Sequence, residues 1–129
     1  MIASQNGHLE VVQALLGHDA DPNQAKASDG STALMFASRK GHGKVVQALL
    51  GHNADPNHAK TSDGSTALTI ASQTGHLEVV QALLDHKADT NTARKRDGST
   101  ALISASKNGH LEVVQALLGH DAYPNTAMT

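Results

Sequence analysis

The chain has 129 residues, with 10 Lys and Arg against 12 Asp and Glu, and the formal net charge of −2 gives no global pull towards nucleic acid. It has no cysteine, which excludes disulfide scaffolds, thiolate zinc sites and cysteine nucleophiles, and its only aromatics are Phe36 and Tyr123, so the core must be built from Ala, Val, Leu and Ile. No apolar run is long enough to span a membrane and residues 1–16 do not read as a signal peptide, so a soluble, cytoplasmic protein is the default expectation.

A string running from Gly7 to Leu16 returns at residues 75–84 and 109–118, with a near copy at 41–50, so the starts fall 34 residues apart. Asp-Gly-Ser-Thr-Ala-Leu keeps the same step at residues 29–34, 63–68 and 97–102. The chain therefore reads as a single tandem array, residues 1–129, with a partial unit at 1–28 followed by units at 29–62, 63–96 and 97–129. A unit of this size does not bury its own apolar face, and stability comes from stacking on its neighbours.

Within the unit 29–62, Asp29-Gly30 signals a turn, Ser31 or Thr32 is placed to cap a helix, and Ala33 to Lys40 is a short helical run stopped by Gly41. A second helix follows almost at once, its apolar residues at one helical stripe, as Leu77, Val80, Leu83 and Leu84 are in the next unit. Ala54, Pro56 and Asn57 then open a polar stretch to Ser62, which predicts an extended connection folded into a turn. In the second unit Gly43 replaces the leucine found at residues 9, 77 and 111, and Lys44 replaces a glutamate, so this unit is expected to be the soft spot.

These motifs resemble the ankyrin repeat: Thr32, Leu34, Ala37, Gly41, His42, Val45, Val46, Leu49, Leu50, Ala54, Asp55 and Asn57 match its pattern, as do their equivalents in the next two units apart from Tyr123, which stands at the aspartate position of the last. The resemblance implies an all-α, ankyrin-type solenoid of stacked helix-turn-helix units with projecting hairpin loops. The tetratricopeptide repeat shares the period of 34, but its Trp, Tyr and Phe positions are empty here. The family's helix-start proline is replaced by Ala33, Ala67 and Ala101 and its histidine by Met35, Thr69 and Ile103, so the first helices are expected to fray. A family glycine after the second helix is replaced by Asp19, Asn53, Lys87 and Asp121; in left-handed geometry lysine costs roughly 1 kcal/mol relative to glycine.

Eight of the nine histidines form two ladders that repeat with the unit, starting at His8 and His18. Equivalent atoms in stacked repeats lie roughly 8–10 Å apart, too far for one zinc, which needs ring nitrogens at about 2 Å. The resemblance implies instead that the first ladder hydrogen-bonds loop backbone. Serine, histidine and aspartate all recur with the period, whereas a catalytic site breaks symmetry, so neither an enzyme, a cofactor nor a metal site is expected.

The residues that differ between units are the informative ones, and they concentrate at the end of the first helix and in the loop tips. In the ankyrin family these places form the concave binding surface. Here they hold eight basic residues against three aspartates, a formal +5, while the rest of the chain holds two basic against nine acidic residues, a formal −7. The expected partner-binding set is Ser31, Arg39, Lys40, Gln73, Thr74, Arg94, Lys95, Arg96, Lys107 and Asn108, and the expected partner is a protein, with an acidic segment favoured by charge. The near absence of aromatics for base stacking argues against nucleic acid, and no membrane partner is expected. The alternative is a spacer segment with no dedicated ligand. Both ends repeat the interior apolar residues, which predicts weak end-to-end association.

Overall fold

The computed structural model describes residues 8–18, 20–95 and 97–120. They contain seven short helices, α1 (Leu9–Gly17), α2 (Ala33–Lys40), α3 (Gly43–Gly51), α4 (Ala67–Thr74), α5 (Leu77–Asp85), α6 (Ala101–Lys107) and α7 (Leu111–Gly119). Within a repeat the two helices fold back on each other across a two- or three-residue turn. Along the array α2, α4 and α6 pack side by side in one layer and α1, α3, α5 and α7 in a second. Among the described residues there is no strand, only an isolated antiparallel bridge between Ala25 and Thr32.

Each first helix starts on a threonine. The hydroxyls of Thr32, Thr66 and Thr100 accept from the backbone N–H of Met35, Thr69 and Ile103, each at 3.3 Å. Thr69 also accepts from the Thr66 N–H at 2.8 Å and so completes a reciprocal capping box. The loss of proline and histidine at these starts, from which fraying was expected, is therefore met by side-chain caps. The first helices of repeats two and three end on glycines in left-handed geometry, Gly41 at φ 76° and Gly75 at φ 80°.

After the second helices the chain again turns left-handed, at Asn53 (φ 70°) and Lys87 (φ 64°), the two described positions where the sequence departs from glycine. The core lies between the layers and runs the length of the array. Val45, Val79 and Val113 with Leu49, Leu83 and Leu117 are its recurring members, all fully buried.

Polar contacts lock the stack from one repeat to the next. The ring of His76 donates through Nε2 to the Arg39 carbonyl at 2.9 Å, and His110 donates to the Gln73 carbonyl at 3.0 Å. Each ring rests on a glycine: a Cβ at Gly41 would stand 2.7 Å from His76, and one at Gly75 would stand 2.6 Å from His110. Farther out, the Asp29 carbonyl accepts from the Thr61 N–H at 3.0 Å and the Asp63 carbonyl from the Lys95 N–H at 2.8 Å. Asn23 and Asn57 extend the pattern, their Oδ1 atoms accepting from the N–H of Asp55 and Asp89 at 2.6 Å. The recurring His76, His110, Asn23 and Asn57 are thus used in stacking.

Gly43 is buried, because the carboxylate arm of Glu78 from the next repeat lies where a side chain at residue 43 would go. The gap expected in the second repeat is partly filled from its neighbour.

Candidate interaction surface

The ends of the first helices and the loops that follow the second helices supply the residues that vary between repeats. Arg39 and Lys40 occupy the last turn of α2 and Lys107 the last residue of α6, where a cation also interacts favourably with the helix dipole. All three are exposed, as are Gln73, Thr74, Lys95 and Asn108.

The polar members of this set are partly occupied. The Thr74 hydroxyl donates to the Ile70 carbonyl at 2.8 Å, and Asn108 Nδ2 donates to the carbonyls of Ser104 at 3.1 Å and Gln73 at 3.2 Å. These bonds fix the side chains against the frame. The exposed cations carry the open charge.

Two residues of the expected set are buried. Ser31 is 3% exposed, because it precedes the cap and its N–H donates to Asp29 Oδ1 at 2.9 Å. Arg94 is 7% exposed: Nη1 donates to Gln73 Oε1 at 3.0 Å, Nη2 reaches Asp97 Oδ2 at 3.4 Å, and Nε has no hydrogen-bond partner among the described residues. Arg94 was expected at a solvated loop tip, and that expectation is corrected. It stands at the root of the loop, where its backbone N–H also donates to the Ser99 carbonyl at 2.8 Å. Arg96 lies outside the described residues.

The same root position is basic in the two preceding loops. Lys26 places Nζ 5.7 Å from the centroid of the Phe36 ring, and Lys60 places Nζ 4.0 Å from Asp29 Oδ2. The Ser31 backbone N–H and hydroxyl, with help from the nearby lysines, hold the Asp29 carboxyl below its ordinary value. At Asp63 partial burial pushes the other way but is outweighed by the Ser65 N–H and hydroxyl and by Lys60 and Arg94, so its pKa is lowered too.

Gln73, Arg94, Lys107 and Asn108 meet around a polar depression of about 130 Å³ that Asp97, Ser99 and Ser104 also line. Asp97 and Ser99 repeat with the period and were therefore assigned to the frame, whereas Ser104 stands where the other units carry Ile2, Phe36 and Ile70 and is a difference that the sequence reading did not single out. Their contribution to a surface depends on contacts between repeats, which no single-repeat pattern encodes. Among the described residues no group of three or more His, Cys, Asp or Glu is placed to hold a metal ion, and no helix is long and apolar enough to cross a membrane.

The family model described as ankyrin repeats (3 copies) matches residues 1–94 and 53–128. The chain belongs to the ankyrin repeat family. No match was found among curated proteins. Ankyrin repeats are generally protein–protein interaction modules and typically have no enzymatic activity. The threonine caps, the histidine resting on glycine and the loop straps described above are how this chain builds the ankyrin repeat frame.

Proposed function

We propose that the chain recognises an acidic segment of a protein partner through the face formed by the ends of its first helices and its loops, the concave side of the array. The observation that supports this reading is a division of labour. Recurring residues such as His76, His110, Asn23 and Asn57 are spent on stacking, while Arg39, Lys40, Lys95 and Lys107 differ from repeat to repeat and stand exposed on that face. Gln73, Thr74 and Asn108 flank them. Ser31 and Arg94 act from below, by holding the cap and the loop root, and Arg96 adjoins Lys95 in sequence.

A rigid frame with exposed cations favours binding with little change of shape, and charge of this kind speeds encounter more than it deepens affinity. A cytoplasmic setting fits a chain without cysteine.

The test is titration of a fluorescent glutamate-rich peptide against the chain and against a variant carrying Arg39→Glu, Lys40→Glu, Lys95→Glu and Lys107→Glu. Saturable binding that weakens with salt and disappears in the variant supports the reading. Binding indifferent to the four substitutions, or none at low salt, would favour the spacer role instead, to which the near-identity of the copies lends itself.

A further inference from the structure

The depression of about 130 Å³ between repeats three and four coincides with a break in the period. At the fourth position of α2 and α4 the chain carries Phe36 and Ile70, and Ile70 is 5% exposed within the core. The same position of α6 is Ser104, which is 4% exposed, so a short side chain with a hydroxyl lines the depression where the neighbouring helices present hydrocarbon.

A second break lies beside it. The loop root is lysine at residues 26 and 60 but arginine at residue 94. A guanidinium has five N–H donors, and Arg94 places Nη1 on Gln73 at 3.0 Å and Nη2 on Asp97 at 3.4 Å, while Nε, fully buried, has no partner among the described residues. A charge-assisted N–H bond runs at about 2.7–2.9 Å, so the contact with Asp97 is a long one. Asp97 is also engaged elsewhere, its Oδ1 accepting from the Ser99 N–H at 3.0 Å. Lys107 stands exposed at the rim and enters no ion pair among the described residues. Two cations therefore face one carboxylate in a polar recess.

We propose that this depression seats a single carboxylate group and, resting on the acidic partner segment proposed above, that one glutamate or aspartate side chain of that segment fills it. Lys107 and the under-satisfied Arg94 answer its charge, and the Ser104 hydroxyl donates to it. At about 30 Å³ for each water-sized group the space takes roughly four, the size of a carboxylate with the methylene that carries it. Arginine at the loop root and serine at the fourth helix position occur together only here, so the seat fixes where along the array the segment docks. The exposed cations alone set no such register.

Heteronuclear NMR tests this with acetyl-glutamate amide, whose one charge is a side-chain carboxylate, and with its uncharged isostere acetyl-glutamine amide at matched ionic strength. The glutamate analogue at millimolar concentration is expected to shift the Arg94 Nε–H signal and the Ser104 and Asn108 amides to saturation, and the glutamine analogue is not. Ser104→Ile gives α6 the residue that α4 already carries, and its amide spectrum checks the fold; Lys107→Gln is a second variant at an exposed position. Each should weaken the glutamate analogue about tenfold, the scale of one charge-assisted hydrogen bond, and Ser104→Ile should weaken the glutamate-rich peptide by a similar factor. No shift with the glutamate analogue, equal shifts with both analogues, larger shifts with inorganic phosphate, or unchanged binding of both carboxylate probes to Ser104→Ile would overturn the proposal. A peptide that fails to bind while the analogue still fills the seat supports the seat and sinks the wider reading of the face.

Discussion

Nη1 of Arg94 donates a 3.0 Å hydrogen bond to Oε1 of Gln73, so the root of the third repeat's loop is tied to the end of that repeat's own first helix. The next residue, Lys95, is exposed and uses only its backbone to reach the Asp63 carbonyl at 2.8 Å. Adjacent basic residues thus have opposite duties.

Arg94→Glu is accordingly expected to lower stability by on the order of 2–4 kcal/mol, since it buries a carboxylate beside Asp97 and leaves Gln73 without its donor. Lys95→Glu should change stability by less than about 0.5 kcal/mol. Urea denaturation midpoints of the two single variants check this directly, and equal midpoints would return Arg94 to the solvated surface.

The hydroxyls of Ser38 and Ser72 are fully buried and have no hydrogen-bond partner among the described residues. Alanine there removes an uncompensated polar group. Ser38→Ala and Ser72→Ala should each raise stability by about 1 kcal/mol, while Ser106→Ala, at the exposed equivalent, should be close to neutral. A loss of stability in the first two would mean that the hydroxyls are bonded after all.

Lys87 holds φ 64°, and a side chain with a Cβ is strained there. Lys87→Gly should gain up to about 1 kcal/mol, and Asn53→Gly, at φ 70°, much less, because asparagine tolerates that region. Thermal denaturation of the two variants gives the ordering, and a reversed order would contradict it.

Much of this was legible in the sequence because it repeats. The period, the helix pair, the glycine stops and the left-handed turn at Lys87 follow from local chemistry that one unit contains. The burial of Arg94 did not follow, since it depends on Gln73 being 21 residues away in sequence but a hydrogen bond away in space. The fate of Gly43 was hidden for the same reason: Glu78, which covers it, belongs to the next repeat. For the surface, exposed cations such as Arg39 and Lys107 were legible as differences between copies. The depression that gathers Gln73, Ser99 and Ser104 was not, because it exists only where two repeats meet.

Asp29 and Asp63 have folded-state pKa values below the ordinary 3.8, so the native state favours their charged forms. That stability is fully present above the unfolded value and is lost as pH falls through the folded one, below about pH 4. Asp29→Asn with Asp63→Asn keeps an acceptor for the Ser31 and Ser65 N–H but removes the titration. The variant should be less stable near neutrality and lose less on acidification, as equilibrium unfolding at a series of pH values would show. An acid limb as steep as that of the unaltered chain would assign it to other carboxyls.

The central claim is that a partner is read by the ends of the first helices and the loops of the array. Two-dimensional amide NMR of the chain during titration with a glutamate-rich peptide tests it most directly. The account predicts shifts that cluster at Arg39, Lys40, Gln73, Lys95, Lys107 and Asn108, move together to saturation and shrink as salt is raised. Shifts confined to the outward positions of the second helices, such as Gln47, Gln81 and Gln115, or scattered without saturation, would contradict it.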